Sequence, residues 1–482
     1  MSPTRASRRS VPIPRGQVLI TALTVALIAA TTFAFFPPTR AARAEELSPA
    51  RGYALLSGLM SEQTTERQAA AAALIAAGDR SLIPGLVDAL FFIPKTRRAE
   101  AFEALSALSG EQVPALYLDW VETVGAHPEW RPKAGYGPWK ANLLARIDPT
   151  YAKIFYPGAP VRIRLEEIVS GGVGFEGIPA LDRPTTIPAT KAGYLHDDEK
   201  VFGVRIGGEA RAYPLRMLDW HEMLNDEVGG RPVTLSYCTL CGSGILYDTR
   251  TPNGKPYTFG TSGLLYRSNK LMVDRQTLSL WNNLTGEPVV GRLAQSAIRL
   301  PILPLTLTTW KEWRGRHPDS TTFALDAALV GRFGFNYQPG AADRQRRGVS
   351  FPVWNKSAAL DPKAEVFALR LGDPPKVYPV ETLIAERLVN DRVGDTAVVL
   401  LADPESGAVR AFARGDRTFR LAPGGELLDQ DDRRWRIEEE ALSSEAQKPL
   451  ERLAGHQAFW FGWYGFYPGS EIYRGRAGSG DP

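Results

Sequence analysis

Cysteine is almost absent from this 482-residue chain: its two copies, Cys238 and Cys241, both fall in the stretch SYCTLCGSG. At 44% hydrophobic residues the core has material enough to stand without them. Their purpose is therefore open between a disulfide, a metal site, a redox pair and two buried small hydrophobes. Several other signatures are missing too. There is no nucleophile elbow, no phosphate-binding glycine loop and no H-E-x-x-H. Gly242, not histidine, follows the C-x-x-C, which excludes c-type haem attachment. Neither haem nor a nucleotide cofactor is expected. Histidine is scarce, and His127, His196 and His456 have no companions in the sequence.

Positive charge is concentrated at one end. Residues 1–44 hold six arginines and no acid, so the formal net charge of +4 becomes +4 − 6 = −2 for the rest. Without a basic stripe in the remainder, nucleic acid is excluded as a partner. The N-terminus itself joins that basic flank to an apolar run from Val18 to Phe36 and then Ala42-Arg43-Ala44. This is the layout of a secretory signal, and the run is also long enough for an uncleaved membrane anchor. Either form puts the rest of the chain outside the cytoplasm, periplasmic or extracellular, with the N-terminal segment as its membrane contact.

From residue 45 to 150 the chain is rich in alanine and leucine at helical spacing. The segments from Arg67 and Arg98 each read as helix, glycine break (Gly78, Gly110) and second helix near a proline (Pro84, Pro114). Helix pairs repeating about every 30 residues suggest a short HEAT-like stack, and such a surface could hold a protein partner. Residues 151–195 read as a linker. Beyond them come β-branched runs and frequent turns. The expected class is α+β: a helical domain, then a β-rich module over 196–330, a connector over 331–364 and a second β-rich module over 365–476.

The two modules read as an internal duplication. At a constant offset of 165 residues, Val201-Phe202 matches Val366-Phe367, Tyr213-Pro214 matches Tyr378-Pro379, and Asn225-Asp226 matches Asn390-Asp391. Their ends match as well, Trp310 and Trp313 against Trp460 and Trp463. At the same offset Cys238 meets Asp403, Cys241 meets Ser406 and His221 meets Glu386. Core cysteines would be expected to give way to Ala or Val, so the first copy reads as the working one.

Three chemistries compete for the pair. Copper or zinc could be bound through Cys238, Cys241 and His221, the thiolates supplying affinity for a soft metal. A thiol–disulfide oxidoreductase would need only this spacing in an exported compartment, with Cys238 attacking. A scaffold protein would keep the cysteines as a structural disulfide. Whether the chain is an enzyme is left open by these alternatives. A second cluster, Ser262, Tyr266, Asn269, Asp274, Arg275 and Trp281, could line a polar pocket for a small molecule. Its second-copy counterpart keeps only Asp429 or Asp431, with Trp435.

The motifs HEMLND, VTLSYCTLCGSGILYD, FGTSGLLYRSNKLMVDRQTLSLW and GEPVVG, with the W-x-x-W…HPDS close, resemble the bacterial and archaeal family known as domain of unknown function 3179. The resemblance is strong over about 195–325 and looser over 365–475. It implies an exported or lipid-anchored protein whose most recognisable feature is the Cys-x-x-Cys. Thr239 stands here where that family more often has proline.

Overall fold

Helices of the alanine-rich region end where the chain has to turn left-handed. α1 (Pro49–Gly58) is followed by α2 (Thr64–Ala77), α3 (Ile83–Phe92), α4 (Ala99–Ser109) and α5 (Tyr117–Ala126). Gly78 and Gly110 close α2 and α4 at φ of +64° and +76°, values that cost glycine nothing. Pro84 sits in the first turn of α3, where its missing N–H is not needed. α2 packs on α4, and α3 on α5. Leu56, Leu74, Ile83, Leu86, Leu90, Leu105 and Trp120 fill the space between them. Two short helices, α6 (Tyr136–Leu144) and α7 (Thr150–Ile154), lead into the sheets.

This computed structural model describes residues 47–476 apart from 252–253, 326–329, 332–336, 338–347 and 446. The expected leader over 1–44 and part of the expected connector lie outside the described residues. Among the described residues no helix is long and apolar enough to cross a membrane. The described residues fall in one compact unit, and its architecture is mixed α+β.

The β-rich part opens with β1 (Ile168–Ser170), β2 (Leu181–Asp182) and β3 (Thr186–Pro188). There follow β4 (Lys200–Ile206), β5 (Glu209–Pro214), α8 (Leu215–His221), β6 (Met223–Val228), β7 (Arg231–Cys238) and β8 (Ser243–Asp248). Then come β9 (Phe259–Tyr266), β10 (Asn269–Asp274), β11 (Leu280–Asn282) and β12 (Pro288–Val290). β13 (Ile302–Leu303), β14 (Thr306–Thr309), α9 (Trp310–Arg316) and β15 (Thr321–Phe323) finish it. Three sheets result, ordered β14-β4-β5-β15-β3, β13-β8-β7-β6-β2 and β1-β9-β10-β11-β12.

After residue 364 the same local order returns. β16 (Glu365–Leu369), β17 (Lys376–Pro379), a helix over Val380–Glu386, β18 (Leu388–Val393), β19 (Thr396–Ala402) and β20 (Val409–Ala413) occur in that sequence. β18 to β20 belong to an eight-stranded sheet whose far edge, Phe419–Leu421, comes back against β18 in a near-barrel. Side-chain bonds recur as well. Tyr213 and Tyr378 donate to Asp226 and Asp391 at 3.0 and 2.8 Å. Asn225 brackets Phe259 with two backbone bonds, and Asn390 brackets Phe419 the same way. The indoles of Trp281 and Trp435 donate to Asp274 and Asp429 at 2.8 and 3.1 Å.

Asp274 also accepts from the Thr277 and Ser279 backbone N–H groups and from the Thr277 hydroxyl. It therefore satisfies a turn and a buried indole together, while being fully buried itself. Asp274→Ala should strand these donors and cost about 3 kcal/mol, measured by urea unfolding. A loss below about 1 kcal/mol would mean the turn is satisfied in another way.

Candidate functional site

Cys238 closes β7, opposite Ser243, and Cys241 lies in the tight turn that returns the chain into β8. Both are buried, both are thiols rather than a disulfide, and they come within 3.7 Å of each other. Two glycines make room for this turn. A Cβ on Gly242, whose φ is +60°, would lie 2.9 Å from the Phe459 ring, and one on Gly462 would lie 3.0 Å from the Cys241 sulfur. Val353, Phe459 and Phe461 cover the thiols, and the Phe459 N–H donates to the Cys241 carbonyl at 2.7 Å. The segment over 459–462 thus caps the cysteine turn.

The β9–β10 hairpin supplies the polar side of the site. Its two turn residues, Arg267 and Ser268, have φ of +50° and +58°, an uncommon conformation for non-glycine residues and a local strain. The turn brings the Ser268 carbonyl to 2.9 Å from the Cys241 sulfur, which donates to it. The next residue but one, Lys270, is the sole charged side chain between Asn269 and Val273, and it points inward with a nearly closed-off ammonium. Its Nζ donates to the Glu222 carbonyl at 2.5 Å and stands 3.8 Å from the Glu222 carboxylate. Glu222 ends α8 in the left-handed region at φ +55°, and Thr239 Oγ1 donates to its carboxylate at 3.0 Å.

These neighbours set the charge of the pair. Burial pushes the Cys238 thiol up and Glu222 opposes its ionisation, but the hydrogen bond from Cys241 and the charge and N–H of Lys270 prevail. The thiol is held below its ordinary value. Burial pulls the Lys270 ammonium down to about 8, against the opposing pull of Glu222 and Cys238. The result is a buried thiol of increased acidity beside an ammonium, with a second thiol 3.7 Å away. A cavity of about 130 Å³ adjoins it, lined by Glu222, Thr239, Leu240, Ser262, Lys270 and Phe351 among others.

Other sequence candidates lie elsewhere. The expected trio with His221 is not assembled: its Nδ1 is 2.7 Å from the Pro179 carbonyl and its Nε2 is 2.7 Å from the Tyr337 hydroxyl. Both ring nitrogens are therefore already engaged. Among the described residues no group of three or more His, Cys, Asp or Glu side chains is gathered to hold a metal ion. Of the six polar-pocket candidates, Ser262 lines the cavity, and its hydroxyl donates to the Leu271 carbonyl at 2.6 Å. Asp274 and Trp281 bond to each other inside the fold. Arg275 pairs with Glu176 and Asp182. Asn269 accepts from Asn283, and Tyr266 is buried beside Glu167, whose charge together with burial pushes its hydroxyl up. Lys270 and Glu222 escaped sequence reasoning. The available signal was a lone lysine directly before the apolar run Leu271-Met272-Val273, and an acidic residue that meets Arg387 at the 165-residue offset.

What these elements define is a mixed α+β protein with a buried, charge-stabilised dithiol in a hairpin turn. Residues 175–470 match the profile of the family described as "Protein of unknown function (DUF3179)", and the chain belongs to that family. No curated protein and no solved structure matches it.

Proposed function

We propose that this protein is an exported redox protein whose dithiol, Cys238 and Cys241, cycles between thiols and a disulfide. The observation that carries this reading is Lys270. A buried cation beside Cys238 supplies the counter-charge that a reactive thiolate needs, and Cys241 stands next to it as the resolving thiol. Starting from a Cys238 thiolate, oxidation removes two electrons from the pair and one proton from Cys241, while the Lys270 ammonium that neutralised the thiolate gives up the second proton. Reduction by an external dithiol returns them.

Binding of copper or zinc is the second reading, favoured by the 3.7 Å approach of the cysteines. Against it stand the engaged nitrogens of His221 and the ammonium of Lys270, which would repel an arriving cation. We read residues 196–330 and 365–476 as two copies of one module, the second a structural partner. In its favour, Glu222 and Arg387 share a left-handed φ of +55° and +61° at equivalent positions, while the cysteines, Lys270 and Glu222 are replaced. The two turns are also capped reciprocally, that of Cys241 by residues 459–462 and that of Ser406 by Lys200, whose Nζ donates to the Ser406 carbonyl at 2.5 Å. The pairing of α2 with α4 and of α3 with α5 fits a HEAT-like stack that could seat a protein partner.

Cys238→Ser should abolish disulfide formation, read by mass spectrometry after oxidation, while circular dichroism stays as in the parent. The cysteine count leaves no other intramolecular disulfide in the variant. A parent protein that never pairs Cys238 with Cys241 under any oxidant would sink the reading.

A further inference from the structure

Access to the thiols is the tightest constraint on what they react with. Cys238 is 1% exposed and Cys241 is 0% exposed. Val353, Phe459 and Phe461 close one side. On the other side a cavity of about 130 Å³ reaches Glu222, Thr239, Leu240 and Lys270, the residues around the sulfurs, without reaching either sulfur itself. That space is ample for water-sized molecules. A disulfide on a protein surface cannot align with sulfurs that are 1% and 0% exposed, so a small oxidant is favoured over a bulky one.

The polar groups facing the cavity narrow the choice further. Lys270 is an ammonium with a mobile proton, fixed by the Glu222 carbonyl and carboxylate at the cavity's inner wall. Such a group serves a reaction whose leaving atom needs a proton at once. Resting on the dithiol reading above, we propose that the oxidant of this site is a small hydroperoxide, hydrogen peroxide being the smallest, and that Lys270 protonates its departing oxygen.

The chemistry balances. The Cys238 thiolate attacks one peroxide oxygen, the O–O bond breaks, and the leaving oxygen takes a proton from Lys270 to become water, or an alcohol for an alkyl hydroperoxide. Cys238 is now a sulfenic acid, and Lys270 is a neutral amine. That amine accepts the Cys241 proton. The Cys241 thiolate then attacks the Cys238 sulfur, and hydroxide leaves with the proton returned by Lys270. One peroxide is reduced by two electrons, the dithiol is oxidised to a disulfide, and two waters form. Cys241, held 3.7 Å from Cys238, needs no large movement to close the bond.

The test mixes reduced full-length protein with hydrogen peroxide or with oxidised glutathione at equal concentration, and follows thiol loss by mass spectrometry. Peroxide is expected to close the disulfide roughly a hundredfold faster than glutathione disulfide. Cys241→Ser should stop at one added oxygen on Cys238, trapped by dimedone. Lys270→Met should slow the peroxide step roughly a hundredfold, and Lys270→Arg should restore part of the rate. Glutathione disulfide reacting as fast as peroxide would overturn the hydroperoxide assignment and leave the dithiol reading standing. A normal peroxide rate in folded Lys270→Met would overturn the role given to Lys270. Failure of both oxidants to join the cysteines would instead defeat the dithiol reading itself.

Discussion

Exchanging Glu439 for glutamine is expected to cost about 3–5 kcal/mol of stability, the penalty for breaking a buried ion network by removing one partner. Glu439 is fully enclosed, and its carboxylate accepts from Arg410 Nε at 2.7 Å and from Thr306 Oγ1 at 2.7 Å. Arg452 Nη1 lies 3.4 Å away, and His317 and Arg316 stand at 3.7 Å. The network ties residues 306–317 of the first β-rich part to residues 410–452 of the second. Glutamine keeps the shape but removes the charge, which leaves Arg452 a buried cation without its carboxylate. Arg410 retains Glu312 at 3.0 Å, so the loss is partial on that side.

Acid should mimic the substitution. Burial alone would raise the Glu439 carboxyl, but Arg410, His317 and Arg452 hold it well below the ordinary 4.5. A depressed folded value means the contribution is fully present above 4.5 and is lost as pH falls towards that lower value. The parent should therefore lose stability below pH 4.5 more steeply than Glu439→Gln does. Thermal unfolding at pH 7 and at lower pH reads both effects, with a drop of about 3–5 °C for the variant at neutrality. An unchanged midpoint would show that the network is decorative.

The second large effect concerns reactivity. In Lys270→Gln the Cys238 thiol loses the nearest cation while Glu222 remains, so its ionisation is opposed by burial and by a like charge together. The thiolate fraction at neutral pH should fall roughly tenfold or more, since the ionised population of a thiol titrating above neutrality drops about tenfold for each pH unit its midpoint rises. Alkylation by a small reagent such as iodoacetamide, in protein loosened enough to admit it, should slow by that factor, and the pH midpoint of the reaction should move upward. Lys270→Arg preserves a cation and should move the midpoint less. A midpoint identical in all three proteins would mean that the thiol is governed by Cys241 and the backbone alone.

Local features of this molecule were legible in the sequence to the extent that they are made by neighbouring residues. Gly78 and Gly110 announced the ends of α2 and α4, and the C-x-x-C announced its own turn. The family followed from the motifs, and the match over 175–470 bears it out. Partners distant along the chain were not legible. His221 is absorbed by Pro179 and Tyr337, 42 and 116 residues away, so nothing beside it could betray that its nitrogens are taken. Lys270 reads in sequence as an outward, solvated strand residue. It is buried because the β9–β10 hairpin packs against β6, β7 and the cysteine turn, and only that packing sets an ordinary lysine beside a buried thiol. The dense polar run from Ser262 to Trp281 had a plainer explanation: several of its groups satisfy one another's backbone and indole donors.

Under the proposed function, Cys238 and Cys241 form a reversible two-electron couple. Its most direct test equilibrates full-length protein with graded mixtures of reduced and oxidised dithiothreitol, then counts the Cys238–Cys241 disulfide by peptide mass spectrometry alongside elemental analysis. A single reversible transition between two thiols and one intramolecular disulfide is expected, with no stoichiometric metal before or after. Copper or zinc bound one per chain, lost in Cys238→Ser, together with cysteines that never pair, would contradict it.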